Sequence, residues 1–100
     1  MKKSPRQNLR KPLAQVIRTA RKSMQLTQED FALISSRTYL STLERGLKSP
    51  TIDKLEELAN VMETTPAAML LAAQLLANDC DADELIAKIA TEAKLLTKKS

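Results

Sequence analysis

The sequence predicts an all-α chain, and three observations carry that expectation. Hydrophobic residues make up 43% of the chain but aromatic ones only 2% (Phe31 and Tyr39), so Leu, Ile, Val, Met and Ala must fill the core. Most of these favour helices. The β-branched runs that build strands are missing, and Gly46 is the single glycine. Apolar residues instead recur three and four positions apart, in stretches opened by Pro, Thr, Ser or Asp. One hundred residues suit one compact domain with short extensions.

The first helix is expected over residues 12–24. Pro12 fits a first helical turn, where its missing N–H costs little. Leu13, Val16, Ile17 and Ala20 form the apolar stripe, which Met24 completes, and Arg18, Arg21 and Lys22 take other faces. Thr27 caps a second helix, with Asp30 three residues on, near a capping-box pattern. That helix is short, about two turns ending near Ile34, with Phe31, Ala32 and Ile34 on its buried side.

Either Ser35 or Ser36 caps the third helix, which turns Tyr39, Leu40 and Leu43 inward. It stops at Gly46, a residue suited to the left-handed C′ position. Residues 47–50 form a loop. Thr51 caps a fourth helix with Ile52, Leu55, Leu58, Ala59 and Met62 buried. Thr65 and Pro66 open a fifth containing Met69, Leu70, Ala73 and Leu76. After a break at 78–81, Asp81 caps a last helix with Leu85, Ile86, Ile89, Ala93 and Leu96 on one face.

Several chemistries fall away. With no His and one cysteine, Cys80, neither a His/Cys zinc site nor a Ser–His or Cys–His nucleophilic pair can be assembled within one chain. Asp79, Asp81 and Asp83 resemble the start of a calcium loop. Glu84 stands where its glycine should be, however, and Ala90 where its last carboxylate should be. No cofactor, metal or enzymatic activity is expected. A lone cysteine suits a reducing compartment. The longest apolar stretch, 66–76, is interrupted by Gln74 and too short to span a bilayer, and residues 1–11 lack the apolar segment of a secretory signal. A cytoplasmic protein without membrane contact is the simplest reading.

Charge is strongly polarised. Residues 1–48 carry eleven Lys/Arg against three Asp/Glu, whereas residues 53–92 carry two against nine. No acidic side chain precedes Glu29. Such a basic half is an electrostatic footprint for phosphates; for residues 1–8 alone, a solvated tail is an equal alternative.

The order of side chains narrows the reading. Arg18-Thr19-Ala20-Arg21, Leu26-Thr27-Gln28-Glu29-Asp30-Phe31-Ala32, Tyr39-Leu40-Ser41-Thr42-Leu43-Glu44-Arg45-Gly46, Ser49-Pro50-Thr51 and Leu55-Glu56-Glu57-Leu58-Ala59 together resemble the Cro and phage-repressor (XRE-like) helix-turn-helix family. The resemblance covers residues 13–62 and extends loosely to about 71. It implies a five-helix lambda-repressor-like DNA-binding domain, here with an additional C-terminal helix. In that family the third helix enters the major groove and the second braces it.

What the resemblance implies for single residues follows from these matches. Base-facing positions fall on Arg37, Thr38 and Thr42, with Ser41 nearby. Arg37 suits a bidentate contact to guanine, and a phosphate contact is its alternative. Thr27 and Gln28 match a phosphate-binding helix start; simple solvent exposure is the alternative for Gln28. Arg45 and Lys48 match phosphate clamps. Arg21 and Glu44 match a salt bridge joining the first and third helices, against a phosphate contact for Arg21. Ala32 matches a small residue required where the second and third helices approach. One departure stands out: Ala32 and Tyr39 are seven residues apart with no glycine between them, two short of the usual spacing.

The expected organisation is a basic arm over 1–11, a DNA-binding domain over 12–77 and a C-terminal helical extension over 78–100 for dimerisation or packing. Lys2, Lys3, Arg6, Arg10 and Lys11 form the arm, with phosphates as partners for Arg10 and Lys11. The acidic extension would be repelled by DNA. The functional expectation is a sequence-specific regulator, a repressor in kind, binding a palindromic double-stranded operator as a homodimer. Two alternatives are an antitoxin using the same DNA face and a helical interaction module that no longer binds DNA.

Overall fold

The computed structural model describes residues 8–98. Five α-helices follow one another: α1 Arg10–Ser23, α2 Arg37–Glu44, α3 Ile52–Val61, α4 Pro66–Ala77 and α5 Ala82–Leu96. A 3-10 turn, Gln28–Phe31, stands between α1 and α2, and no strand occurs among the described residues. Lys2, Lys3 and Arg6 lie outside the described residues.

Local capping sets most helix starts. The side-chain oxygens of Ser36, Thr51, Thr65 and Asp81 accept from the backbone N–H groups of Tyr39, Lys54, Ala68 and Glu84 at 3.0, 3.1, 3.1 and 3.0 Å. Each satisfies a donor the helix itself leaves orphaned. Ser36 takes this role rather than Ser35. α1 begins earlier than expected: Asn8 Oδ1 accepts from Arg10 N at 3.0 Å, so Arg10 and Lys11 lie in the first helical turn, not in an arm.

Helix ends are more uniform than the sequence suggests. α1, α2 and α3 each close with a left-handed residue: Gln25 (φ 59°), Gly46 (φ 73°) and Glu63 (φ 56°). In each case the next amide reaches five residues back, Leu26 N to Arg21 O, Leu47 N to Thr42 O and Thr64 N to Ala59 O, at 2.9–3.1 Å. These are Schellman closures, and only one of them uses glycine.

The core gathers Leu13 and Ile17 of α1, Phe31 of the 3-10 turn, Leu40 and Leu43 of α2, Leu55, Leu58, Ala59 and Met62 around α3, and Met69 and Ala73 of α4. The α1–α4 contact is the most extensive, and α5 leans lightly on α4. Four expected core positions are corrected. Met24, Ile52 and Leu76 are 37%, 66% and 52% exposed, and Ala32 is exposed as well. Met24 has left the helical stripe at the C-cap of α1, and Ile52 and Leu76 sit at helix ends where few neighbours remain to cover them.

Ala32 follows from a larger correction, because the expected two-turn second helix is a single 3-10 turn. Asp30 N, Ala32 N and Ile34 N each bond three residues back, to Thr27, Glu29 and Phe31 carbonyls. A 3-10 turn advances about 2.0 Å per residue against about 1.5 Å in an α-helix, so a segment two residues short spans the same gap this way. Phe31 stays fully buried while Ala32 swings outward.

Candidate nucleic-acid interface

α2 is a two-sided rod. Leu40 and Leu43, 0% and 1% exposed, pin one side to the core. Arg37 and Thr38 are exposed, Ser41 and Thr42 half-buried, and Arg45 at the C-cap exposed, all on the opposite side. The Thr42 hydroxyl donates to Thr38 O at 2.9 Å. Arg37 Nη2 lies 3.6 Å from Glu29 Oε1, with both side chains at least 70% exposed. Such a solvated pair costs little to open.

Arg21 and Glu44 hold the rod to α1. Arg21 Nε donates to Glu44 Oε2 at 2.6 Å and Nη2 to Oε1 at 3.0 Å, while Nη1 donates to Leu26 O at 2.9 Å. The side chains are 11% and 5% exposed. Hydrogen bonding to Glu44 raises the Arg21 pKa above its ordinary value; burial opposes the shift and Coulombic attraction to Glu44 adds to it. The planar guanidinium fork makes this geometry specific to Arg.

The start of the 3-10 turn is less open than the sequence implies. Asp30 Oδ2 accepts from Thr27 N at 2.7 Å and from the Thr27 hydroxyl at 3.2 Å. Gln28 is half-buried and its amide donates to Glu44 Oε1 at 3.3 Å. Both residues thus have intramolecular partners, and a four-residue turn carries little dipole to attract an anion. Lys48 is exposed in the loop after α2.

The fold also assembles residues that the sequence reading left on unassigned faces. Arg18 and Lys22, one helical turn apart on α1, join Gln28, Ser41 and Arg45 around a shallow cleft of about 370 Å³. An adjoining depression is lined by Lys11, Arg18 and Arg45 beside Gly46. A Cβ on Gly46 would lie 3.2 Å from Lys11 Cγ, so glycine allows α1 this close approach. The i, i+4 spacing of Arg18 and Lys22 was the available signal. No cluster able to hold a metal ion occurs among the described residues, and none of their helices is long and apolar enough to cross a membrane.

A family model described as helix-turn-helix matches residues 17–69, a span containing the 3-10 turn, α2 and α3 whole. The chain belongs to the Cro/C1-type (XRE-like) helix-turn-helix family. Two solved structures of the clp gene regulator ClgR from Corynebacterium glutamicum share the fold, each with a TM-score of 0.67 and 26% identity. One comparison covers 75% of this chain and all of the other; the second covers 92% and 94%. No curated protein matches by sequence. Proteins of the helix-turn-helix family are DNA-binding transcriptional regulators and not enzymes, and this chain is one of them.

Proposed function

We propose that this helix-turn-helix protein is a sequence-specific transcriptional repressor that binds a palindromic operator as a homodimer. The supporting observation is the outward stripe of α2. Arg37, Thr38, Ser41 and Thr42 offer a guanidinium, hydroxyls and methyl groups suited to base edges in the major groove. Arg45 and Lys48 at one end of α2, and Lys11, Arg18 and Lys22 along α1, provide cations for the flanking phosphates. Arg10, in the first turn of α1, adds to them. Thr27 and Gln28 take a smaller part, Gln28 through the amide N–H that Glu44 leaves free.

Dimerisation is supported by α5, which buries no residue and leaves Ile86 and Leu96 exposed on one face. An isologous contact along this face would present two copies of α2 to half-sites about 34 Å apart. The division of labour is then residues 12–77 for DNA and 78–100 for pairing, with 1–11 adding basic charge. Repression is the simplest outcome because operator occupancy alone excludes polymerase. Selection of bound sequences from a random duplex pool tests the reading. Enrichment of an inverted repeat supports it, whereas a pool that stays random after several rounds overturns it.

A further inference from the structure

The turn between the two helix-turn-helix segments is held from outside. Residues 32–36 connect the 3-10 turn to α2, and the amides of Ile34 and Ser35 both bond back to Phe31 O. The Ile34 carbonyl has no such local partner; it accepts from Lys54 Nζ, twenty residues later, in the first turn of α3. A carbonyl in a half-buried turn needs a donor, and a helix continuing through Ile34 would have supplied a backbone amide. Lys54 substitutes for that amide.

The same ammonium is fixed on two further sides. Glu57 Oε1 lies 2.8 Å away, one turn along α3, and the Tyr39 ring centroid 6.0 Å away. Lys54 is 22% exposed at its side chain, so these contacts are partly shielded from water. One cation therefore joins the turn backbone, the first turn of α2 and the body of α3. Arg37 and Thr38 lie directly between Ser36, whose hydroxyl caps α2, and Tyr39.

We propose that Lys54 is a positioning residue for DNA reading: it clamps the shortened turn and so sets where the N-terminal end of α2 stands. This rests on the DNA-binding reading above. Lys54 acts through the turn without touching DNA. Losing its N–H donors leaves the folded protein sampling turn positions from which Arg37 and Thr38 cannot reach base edges, and apparent affinity falls with the fraction correctly placed.

The test uses the full chain with Lys54→Met, which keeps the aliphatic stem, and Lys54→Arg, which keeps the donors. Amide hydrogen exchange is followed at residues 34–40 without DNA, and affinity for the selected duplex is measured across a salt series. Lys54→Met should exchange faster at these amides and bind about tenfold more weakly, with the salt dependence of wild type. Lys54→Arg should recover most of both. Unchanged affinity in Lys54→Met overturns the proposal, as does a salt slope reduced by about one, which would mark a direct phosphate contact. If wild type itself bound no duplex, the DNA reading would fall; the exchange arm would still decide the clamp, and unaltered exchange would overturn it.

Discussion

Arg21 and Glu44 meet through two parallel hydrogen bonds of 2.6 and 3.0 Å, across 23 residues of sequence, at 11% and 5% side-chain exposure. Breaking one side strands the other charge in a poorly solvated place. Arg21→Ala should therefore cost about 3 kcal/mol, read as a lower urea midpoint at unchanged slope. The raised Arg21 pKa adds a sign. Its contribution is fully present below the unfolded pKa and lost only as pH rises through the still higher folded one, so the guanidinium supplies no pH dependence near neutrality.

The three left-handed helix ends respond in opposite directions. Gly46→Ala meets both the φ of 73° and the 3.2 Å approach to Lys11, and should destabilise by about 1–2 kcal/mol. Gln25→Gly and Glu63→Gly relieve a side chain at φ 59° and 56°, and should each stabilise by about 0.5–1 kcal/mol. Thermal unfolding of the three variants reads both signs.

Duplex binding should weaken steeply with salt as phosphates displace counterions. Arg18→Ala, Lys22→Ala and Arg45→Ala should each lower the slope of log affinity against log salt by roughly 0.9, uniformly across sequences. A slope untouched by all three would place the α1 cleft outside the DNA footprint.

Arg37→Ala should relax preference at one base position by about 1–3 kcal/mol while other positions keep theirs. Since Glu29 shares Arg37 at 3.6 Å in the free protein, Glu29→Gln should tighten binding modestly without altering the selected motif. Comparing selection profiles of the two variants checks both statements.

Ile86→Asp combined with Leu96→Asp places charge on the uncovered face of α5. Sedimentation should then report a monomer, and affinity for a full inverted repeat should drop towards that of a half-site. Neither side chain is buried within the chain, so any fall in unfolding temperature should reflect lost pairing and, in the wild type, vary with protein concentration.

Much of the fold was legible because it is local. Thr51, Thr65 and Asp81 cap helices through bonds three residues long, and Leu13, Ile17, Leu40, Leu43, Leu55 and Leu58 repeat at helical spacing. The candidate site was legible only in outline. The stripe of α2 follows from periodicity, and the i, i+4 spacing put Arg18 and Lys22 on one face of α1, but only the packing of α1 beside α2 brought that face to the stripe. In the sequence nothing pairs Gln28 with Glu44, sixteen residues away, whereas the fold brings the Glu44 carboxylate to 3.3 Å from its amide.

By itself the sequence determined most of the helices, their caps, most of the core and the family, since short-range hydrogen bonds and apolar periodicity are properties of neighbouring residues. Tertiary structure alone decided that residues 28–31 tighten into a 3-10 turn, that Ala32 faces outward and that Lys54 meets the Ile34 carbonyl. Those outcomes depend on the distance between segments already anchored by Phe31 and Leu40 in a common core. A two-residue shortfall is harmless in an isolated chain and becomes a constraint only when both ends are fixed.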